Sequence, residues 1–258
     1  MDPKFNLVGK SVIVTGAGQG IGRAIAGCII ENGGKVIAVD MNAETLGKVS
    51  TELGASNCIA VAGSVSDQDV ANQAVEAGVK AFGKIDGLVN NAGIIRPAML
   101  EKMSAADWKL ILDVHLTGSF YFLQAVARHL IARHKDGEEG LSGSIVNISS
   151  DAGRLGTIGQ INYATAKAGV FGMTMSAARE LAKYNIRSNS VGFGLVETPM
   201  TEVIRGDRFR DGVLARIPMG RWADPTEVAR PICFLLSDAA SYITGQNISV
   251  NGGMAIGV

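Results

Sequence analysis

The sequence has little that would tie it to an oxidising compartment, a nucleic acid or a membrane. Its three cysteines, Cys28, Cys58 and Cys233, lie far apart in apolar surroundings and suit neither a disulfide framework nor a metal site. The 24 basic and 24 acidic residues give a formal net charge of +0, so nucleic acids and anionic membranes find no charged footprint. The first ten residues lack the apolar core of a signal peptide, and no uninterrupted apolar run reaches the roughly 18–20 residues of a bilayer span. We therefore expect a soluble, cytoplasmic protein with no metal, nucleic-acid or membrane partner.

The composition is that of a globular protein with a large core, because 47% of the 258 residues are hydrophobic and only 19% are charged. Short apolar runs alternate with helical patterns. The predicted strands are 11–15, 35–39, 57–61, 85–89, 144–148, 186–191 and 246–250. The predicted helices are 20–32, 42–53, 67–82, 104–133, 160–184 and 225–236. This alternation, without a visible linker or repeat, predicts one α/β domain over residues 1–258: a doubly wound, Rossmann-like parallel sheet of about seven strands with helices on both faces.

A glycine-rich turn, Gly16-Ala17-Gly18-Gln19-Gly20-Ile21-Gly22, connects the first predicted strand to the first predicted helix. Glycine permits positive φ angles and a close approach of the backbone to a phosphate. The N-terminus of the following helix offers free N–H groups and a partial positive charge to a pyrophosphate. The turn therefore indicates a dinucleotide site, although its G-x-x-x-G-x-G spacing differs from the common G-x-G-x-x-G fingerprint and a purely structural turn stays open.

Asp40 ends the second predicted strand, twenty residues after Gly20. A carboxylate at this place can accept hydrogen bonds from the adenosine ribose and repels a 2′-phosphate. The next residues, Met41 and Asn42, are uncharged, as is Gln19 in the glycine turn. These features favour NAD over NADP, while a helix cap or a turn acid remains the alternative for Asp40.

The chemistry is predicted in the helix that carries Tyr163 and Lys167. Residues four apart share a helix face, so the ammonium would lie near the phenol and lower its pKa below the ordinary value. A phenol with a lowered pKa is suited to proton transfer with an alcohol or a ketone. The pair Ser149-Ser150 lies just upstream, at the end of an apolar run.

Over residues 8 to 254 the chain resembles the short-chain dehydrogenase/reductase family. The resemblance lies in five stretches in the family's order: Thr15-Gly16-Ala17-Gly18-Gln19-Gly20-Ile21-Gly22, Asn90-Asn91-Ala92-Gly93, Ser150 thirteen residues before Tyr163, Tyr163-x-x-x-Lys167, and Gly245-Gln246 through Val250-Asn251-Gly252-Gly253. Each stretch alone is modest evidence, whereas five at the right spacing are specific.

The resemblance implies that Tyr163 is the general acid/base, that Lys167 lowers its pKa and holds the nicotinamide ribose, and that Ser150 binds the substrate oxygen. For Ser149 we expect a structural role. Thr198, with the backbone near Val196, would hold the nicotinamide carboxamide, and Asn91 would lie along the adenosine. The full set of expected cofactor contacts is Gly16, Gln19, Gly20, Ile21, Gly22, Asp40, Met41, Ser64, Val65, Asn91, Ala92, Gly93, Tyr163, Lys167, Val196 and Thr198.

Three positions depart from the family pattern. His115 stands where the family usually has an asparagine that anchors a proton-relay water, so a catalytic and a structural role are both open for it. Phe193-Gly194 replaces a Pro-Gly pair, and the ring either reshapes the pocket or packs. Ser64 replaces an acid that meets the adenine amine, which would weaken one contact.

The leading hypothesis is an NAD-dependent dehydrogenase or reductase acting on a secondary alcohol or its ketone. An alternative is a 3-oxoacyl-thioester reductase or 3-hydroxyacyl dehydrogenase, with Arg133 and Arg179 as candidates to meet an acidic carrier. A third, less favoured reading is an NAD-binding protein without turnover. Since family members are commonly tetramers or dimers, we expect a homo-oligomer, in the first place a homotetramer.

The substrate pocket is the least readable part of the sequence. Residues 199–221, here called the covering segment, are mixed in charge without a strand pattern and are the expected cover of the substrate. Gly153, Leu155, Ile158 and Phe193 predict an apolar pocket of medium size.

Overall fold

A single sheet of seven parallel strands, in the order β3-β2-β1-β4-β5-β6-β7, runs through the computed structural model. The structure describes residues 5–256, except for the side chains of Val203 and Arg208. The strands are β1 (Ser11–Thr15), β2 (Lys35–Asp40), β3 (Cys58–Ala62), β4 (Gly87–Asn90), β5 (Gly143–Ser150), β6 (Ile186–Phe193) and β7 (Asn247–Val250). The predicted fold class is confirmed, and the sequence placed every strand to within a few residues.

The strand order reverses between β1 and β4, which pair side by side through Val12 and Gly87. β1 also pairs with β2. The chain therefore adds β2 and β3 on one side of β1 and then continues with β4 on the other side of β1. In open α/β sheets, ligands bind at the carboxyl ends of the strands where the order reverses. The carboxyl ends of β1 and β4, Thr15 and Asn90, therefore mark the expected crevice.

Helices cover both faces of the sheet. They are α1 (Gly20–Glu31), α2 (Ala43–Glu52), α3 (Gln68–Phe82), α4 (Ala105–Leu112), α5 (Gly118–Lys135), α6 (Ala152–Leu155), α7 (Ile161–Leu181), α8 (Glu202–Arg205), α9 (Asp207–Leu214) and α10 (Pro225–Leu236). One apolar core lies between the sheet and α1, α2 and α10. A second lies on the opposite face, under α3, α5 and α7, with Phe122 and Leu130 among its fully buried side chains.

Four helices begin at a side-chain cap, as the sequence indicates for α3 and α10. Asp67 accepts a hydrogen bond from the N–H of Asp69 at the start of α3, and Asp224 forms a capping box with Glu227 at the start of α10. Asn42 caps α2 and Ser104 caps α4 in the same way. α1 is different, because its N-cap residue Gln19 makes no side-chain hydrogen bond to the helix.

Two stretches differ from the predicted elements. The helix predicted over 104–133 is interrupted by a π-helical turn, Asp113–Thr117, between α4 and α5. The covering segment, for which the sequence predicts no element, contains the 3₁₀ turn Pro199–Thr201 followed by α8 and α9. Its polar, mixed sequence hides these helices because α8 and α9 are too short to show a helical period.

By length and composition, the continuous helical stretch Ala105–Lys135 is apolar enough to cross a membrane, with a mean hydropathy of 1.3. Half of that apolar window is buried inside the protein, and the core helix of a soluble protein has the same property. The stretch is therefore weak evidence for a membrane span.

Candidate active site

The glycine turn between β1 and α1 leaves no room for side chains at two of its positions. A Cβ atom on Gly22 would collide with the carbonyl oxygen of Gly16. A Cβ atom on Gly16, whose φ is +66°, would lie 2.8 Å from the Cα of Ala92. The backbone of the turn therefore packs against itself and against the loop after β4, as a phosphate-binding turn must do to present its amides.

The N-terminus of α1 is open to an anion. Gln19 does not cap it, and the first turn carries no acidic residue, so the first N–H groups are free of side-chain partners. Thr198 lies beside this turn, with its Cγ2 atom 3.6 Å from the position of a Cβ on Gly20. The uncapped helix start and the glycine cradle together fit a pyrophosphate.

Val196 and Thr198 are held by Thr201. The Thr201 hydroxyl donates to the carbonyl of Val196 at 2.6 Å, and its oxygen accepts from the N–H of Thr198 at 3.1 Å. Arg205 donates to the Thr198 carbonyl at 3.1 Å. The start of the covering segment is therefore fixed beside the glycine turn.

Asp40 binds the glycine turn. Its Oδ2 accepts from the N–H of Gly18 at 2.9 Å, and its Oδ1 accepts from the N–H of Asn42 at 3.0 Å. The alternative of a helix cap for Asp40 is wrong, because Asn42 caps α2. Met41, next to Asp40, is exposed at the expected place of the adenosine. Of the two expected contacts after β3, Ser64 is exposed and Val65 is buried.

The loop after β4 is tied to the end of β1. The hydroxyl oxygen of Thr15 accepts from the N–H groups of Asn91 and Ala92, both at 3.0 Å. The Asn91 side chain donates to the carbonyl of Thr15 at 2.9 Å. The side-chain amide of Asn91 therefore supports the glycine turn. Gly93, two residues later, packs directly on the ring of His115.

Ser150, Tyr163 and Lys167 meet at the carboxyl end of β5. The Ser150 hydroxyl is close enough to the Tyr163 phenol to lower its pKa. The Lys167 Nζ lies 5.7 Å from the centroid of the Tyr163 ring and donates to the carbonyl of Ile148 at 2.7 Å. Ser149 points the other way and donates to the carbonyl of Lys167 at 2.9 Å, which is the structural contact expected for it.

The pKa of Tyr163 moves opposite to the direction predicted from the sequence. Burial raises the pKa of the phenol above its ordinary value, and the neighbouring Ser150 hydroxyl offsets part of that rise. Burial also lowers the pKa of Lys167, which is 4% exposed, to about 7. The prediction is wrong because the desolvation of the phenol outweighs any help from Lys167, whose own burial leaves it only partly charged near neutral pH.

His115 lies in the π-helical turn and touches Tyr163. The two rings pack edge to face with their centroids 5.1 Å apart. The Nε2 of His115 lies 2.7 Å from the carbonyl oxygen and 3.1 Å from the nitrogen of Ile94, so either neutral tautomer finds a partner there. Burial, reinforced by the charge of Lys167, lowers the pKa of His115 to about 3. The ring is therefore neutral at physiological pH and clamps the loop after β4.

Buried amides that the sequence analysis missed position the Tyr163 helix. Asn162, fully buried, accepts from the N–H of Tyr163 at 2.8 Å and donates to the carbonyl of Arg96 at 3.1 Å. Farther along, Asn147 of β5 accepts from Asn90 at 2.9 Å and donates to Thr174 of α7 at 3.0 Å. The sequence signal that could have identified Asn147 is its place inside the otherwise apolar run Ile145–Ile148.

The predicted pocket residues separate into two groups. Phe193 is buried in the core, so its ring packs and does not open the pocket. Gly153 lies against the backbone of α7, where a Cβ atom would be 2.7 Å from the carbonyl carbon of Lys167. Leu155 and Ile158 are exposed apolar side chains. The apolar surface therefore belongs to the end of α6 and the loop before α7.

The two arginines that were candidates for an acidic carrier also differ. Arg133 is mostly buried and pairs with Asp86 at 3.0 Å and Glu138 at 2.5 Å. It also donates to the carbonyl of Ile85, before β4, at the amino end of the sheet and away from Ser150. Arg179 is exposed on α7. Arg133 is therefore a structural residue.

Known proteins with similar sequences and folds match nearly the whole chain. The family model described as enoyl-(acyl carrier protein) reductase matches residues 16–255. A 3-oxoacyl-[acyl-carrier-protein] reductase of Thermotoga maritima is 43% identical over 256 residues, which cover 98% of this chain and 100% of that protein. The reductase of the same name from Vibrio cholerae is 41% identical, with coverage of 97% and 99%.

Two solved structures have the same architecture. The short-chain dehydrogenase/reductase of Brucella melitensis described as a glucose/ribitol dehydrogenase superposes with a TM-score of 0.90 at 33% identity, over 98% of this chain and 100% of that one. A short-chain type dehydrogenase/reductase of Mycobacterium marinum gives 0.90 at 30% identity, over 98% of each chain.

Proposed function

The chain belongs to the short-chain dehydrogenase/reductase family, and on that premise we propose that it transfers a hydride between NAD(H) and a secondary alcohol or its ketone. The observation that carries the proposal is the meeting of Ser150, Tyr163 and Lys167 at the carboxyl end of β5. It lies on the sheet edge that also carries the glycine turn and the uncapped start of α1. Membership of the family by itself makes the chain an oxidoreductase that uses a nicotinamide dinucleotide.

In this mechanism Tyr163 gives its phenolic proton to the carbonyl oxygen on reduction and takes it back on oxidation. Ser150, beside the phenol, donates to the same oxygen and stabilises the charge that develops there. Lys167 lies beside the phenol, and its pKa near 7 lets it carry or release a proton at neutral pH. When bound, the dinucleotide supplies the hydride or accepts it, and its oxidised ring brings a positive charge.

The preference for NAD rests on Asp40. Its Oδ2 is held by the N–H of Gly18 in the glycine turn, and its Oδ1 is held by the N–H of Asn42 before α2. A carboxylate held there accepts from ribose hydroxyls and repels a 2′-phosphate. Neighbouring Met41 and Asn42 provide no cation to neutralise such a phosphate.

For His115 we propose a part in catalysis through position and hydrogen bonding. Its low pKa excludes an imidazolium as proton carrier at neutral pH. Its contacts with Ile94 and with the Tyr163 ring instead set the distance between the loop after β4 and the phenol. Its buried Nδ1 has no hydrogen-bond partner among the described residues.

A second candidate substrate class is the 3-oxoacyl thioester. It is favoured by the names of the Thermotoga maritima and Vibrio cholerae relatives, which match the chain over nearly its full length. The exposed apolar side chains Leu100, Leu155 and Ile158 provide a surface that suits an acyl chain. Arg133 is unavailable to a carrier because it is engaged in ion pairs, which leaves Arg179.

The test is a panel of secondary alcohols and ketones (aliphatic, aryl, steroid and 3-oxoacyl thioester), each offered with NAD(H) and NADP(H). Turnover with NAD(H) on one class supports the proposal and identifies the substrate class. Turnover chiefly with NADP(H) on the thioester contradicts the Asp40 argument and favours the second candidate. Tight NAD binding without turnover of any substrate would support the third hypothesis, an idle binding protein, which the assembled Ser150, Tyr163 and Lys167 argue against.

We also propose a homo-oligomer, in the first place a homotetramer. Large apolar side chains are exposed on α4, α5 and α7, namely Leu110, Phe120 and Met175. Burying them between subunits would remove them from water. Light scattering at micromolar concentration tests this, since a monomer would contradict it.

A further inference from the structure

Asp151 follows the proposed substrate-binding serine and is a buried carboxylate that the proposed chemistry does not use. It is 5% exposed. Its Oδ2 accepts one hydrogen bond, from the side-chain amide of Asn251 at 2.9 Å. Its Oδ1 has no hydrogen-bond partner among the described residues. A carboxylate removed from water with one of its two oxygens unpaired destabilises the folded state.

Nothing nearby compensates this cost fully. Arg154 is the neighbouring cation, but it is exposed and its Nη1 donates to the hydroxyl of Ser249 at 3.0 Å. Burial accordingly raises the pKa of Asp151 above its ordinary value. Costly buried groups of this kind concentrate where they serve a function other than folding.

The partner of Asp151, Asn251, organises the turn that follows β7. Its Oδ1 accepts from the N–H of Gly253 at 3.0 Å, and its Nδ2 also donates to the carbonyl of Ala255 at 3.0 Å. A Cβ atom on Gly194 would lie 2.8 Å from Asn251. Asp151 therefore joins the end of β5 to a turn one hundred residues later in the chain.

That turn supports the far end of the covering segment. The N–H of Met219 donates to the carbonyl of Gly252 at 3.1 Å. A Cβ atom on Gly252 would lie 2.9 Å from the Ile217 side chain, and one on Gly253 would lie 3.0 Å from Pro218. Glycine is required here by its positive φ, and because a side chain would push this end of the segment away.

The covering segment is thus fixed at both ends. Thr198, the residue before it, lies beside the glycine turn, and the far end of the segment rests on the turn that Asp151 holds. We propose that Asp151 is a positioning residue that, through Asn251, fixes the end of the covering segment relative to Ser150 and thereby sets how tightly the substrate is held. The contact is a property of the fold, whereas its effect on the substrate rests on the proposed function.

Hydrogen–deuterium exchange tests the contact without any turnover. In Asp151→Leu, the amides of residues 215–223 and 252–255 are expected to exchange at least about tenfold faster, the equivalent of one lost hydrogen bond. Asp151→Asn keeps an oxygen that can accept from Asn251, and it should restore slow exchange. Asp136→Asn, at an exposed aspartate, is the matched control. Unchanged exchange at Met219 in Asp151→Leu would overturn the proposal.

Kinetics on the substrate found with the panel test the functional half. Asp151→Leu should raise the KM for the alcohol or ketone by about five- to tenfold, with kcat within about twofold, because the reacting groups stay in place while the substrate loses uniform binding. The Kd for NAD should not change. A fall in kcat with an unchanged KM would contradict a positioning role, even if exchange had accelerated.

A second variant covers the case in which Asp151→Leu does not fold. Asn251→Ala removes the same contact from its other partner, together with the contacts of Asn251 to Gly253 and Ala255, and should accelerate exchange in residues 215–223. Asp151→Ala alone should also accelerate exchange there, but in the Asn251→Ala background it should have no further effect, because the two residues act through one contact. Additive effects would show that Asp151 acts elsewhere.

Discussion

The first two strands and the two strands around the catalytic serine belong to one sheet but differ in what they bury. β1 and β2 read SVIVT and KVIAVD, and their interior residues are almost entirely apolar. β5 and β6 read GSIVNISS and IRSNSVGF and are equally buried, yet they include Ser144, Asn147, Ser188, Asn189 and Ser190. The cofactor half of the sheet is an apolar core, whereas the catalytic half contains many buried polar groups.

The difference follows from how each half would bind. The glycine turn and the start of α1 offer backbone N–H groups, which need only glycines and an uncapped helix. Proton transfer requires side chains held at defined positions, and these need buried partners such as Asn162. Changes in the catalytic half should therefore alter chemistry and pH dependence, and changes in the cofactor half should alter affinity and selectivity.

The largest effect is expected for Tyr163→Phe. The variant keeps the ring that packs on His115 but loses the phenolic proton, so turnover should fall by about 10²–10⁴-fold. The Kd for NAD, measured by fluorescence quenching, should change little because the glycine turn is untouched. Tyr242→Phe, at a fully exposed tyrosine, is the control. Unchanged turnover in Tyr163→Phe would exclude the proposed mechanism.

The second effect concerns Lys167 and the pH dependence of stability. Its folded-state pKa is about 7, below the ordinary 10.5, so between these pH values the unfolded chain binds a proton that the folded chain does not. Its contribution to the free energy of unfolding should therefore rise with pH, by up to about 1.4 kcal/mol per pH unit in that window.

Lys167→Met should lose this slope in denaturant unfolding measured from pH 7 to 10, while Lys80→Met, at an exposed lysine, should keep it. Lys167→Met removes the buried charge. Its free energy of unfolding relative to wild type should therefore be most favourable at the low-pH end of the range, near pH 7. Parallel slopes for wild type and Lys167→Met would mean that the lysine is solvated in the folded protein.

The third effect belongs to the cofactor half. Asp40→Ala should weaken NAD binding and allow NADP, changing the ratio of the two kcat/KM values by about ten- to a hundredfold, as expected for one lost charged hydrogen-bonding group. Turnover with saturating NAD should be nearly preserved. Glu76→Ala, which removes an exposed acid from α3, should leave the ratio unchanged. An unchanged preference for NAD over NADP in Asp40→Ala would show that residues other than Asp40 determine the selectivity.

The sequence predicted those parts of the site that are encoded locally. The glycine turn, Asp40 and the pair Tyr163 and Lys167 each lie within one turn or one helix, so their spacing alone predicts where they come together. The contact between Asp151 and Asn251 joins residues one hundred apart and has no such pattern. The predicted direction of the Tyr163 pKa shift was wrong for a related reason. Burial of the phenol depends on the whole fold and not on the i, i+4 pair.

The smallest effect is expected at His115, which joins the two halves by clamping Ile94 after β4 and packing on Tyr163. His115→Asn removes the titrating ring but keeps a short polar side chain, and it should cost less stability at pH 7 than His115→Leu, which leaves the Ile94 groups without a polar neighbour and should cost about 1–3 kcal/mol. The folded pKa of about 3 lies below the ordinary 6.5, so wild type should lose stability as the pH falls from 6.5 towards 3. His115→Asn should remove that loss. An unchanged acid dependence in His115→Asn would show that His115 protonates in the folded state and would restore a charged relay as its role.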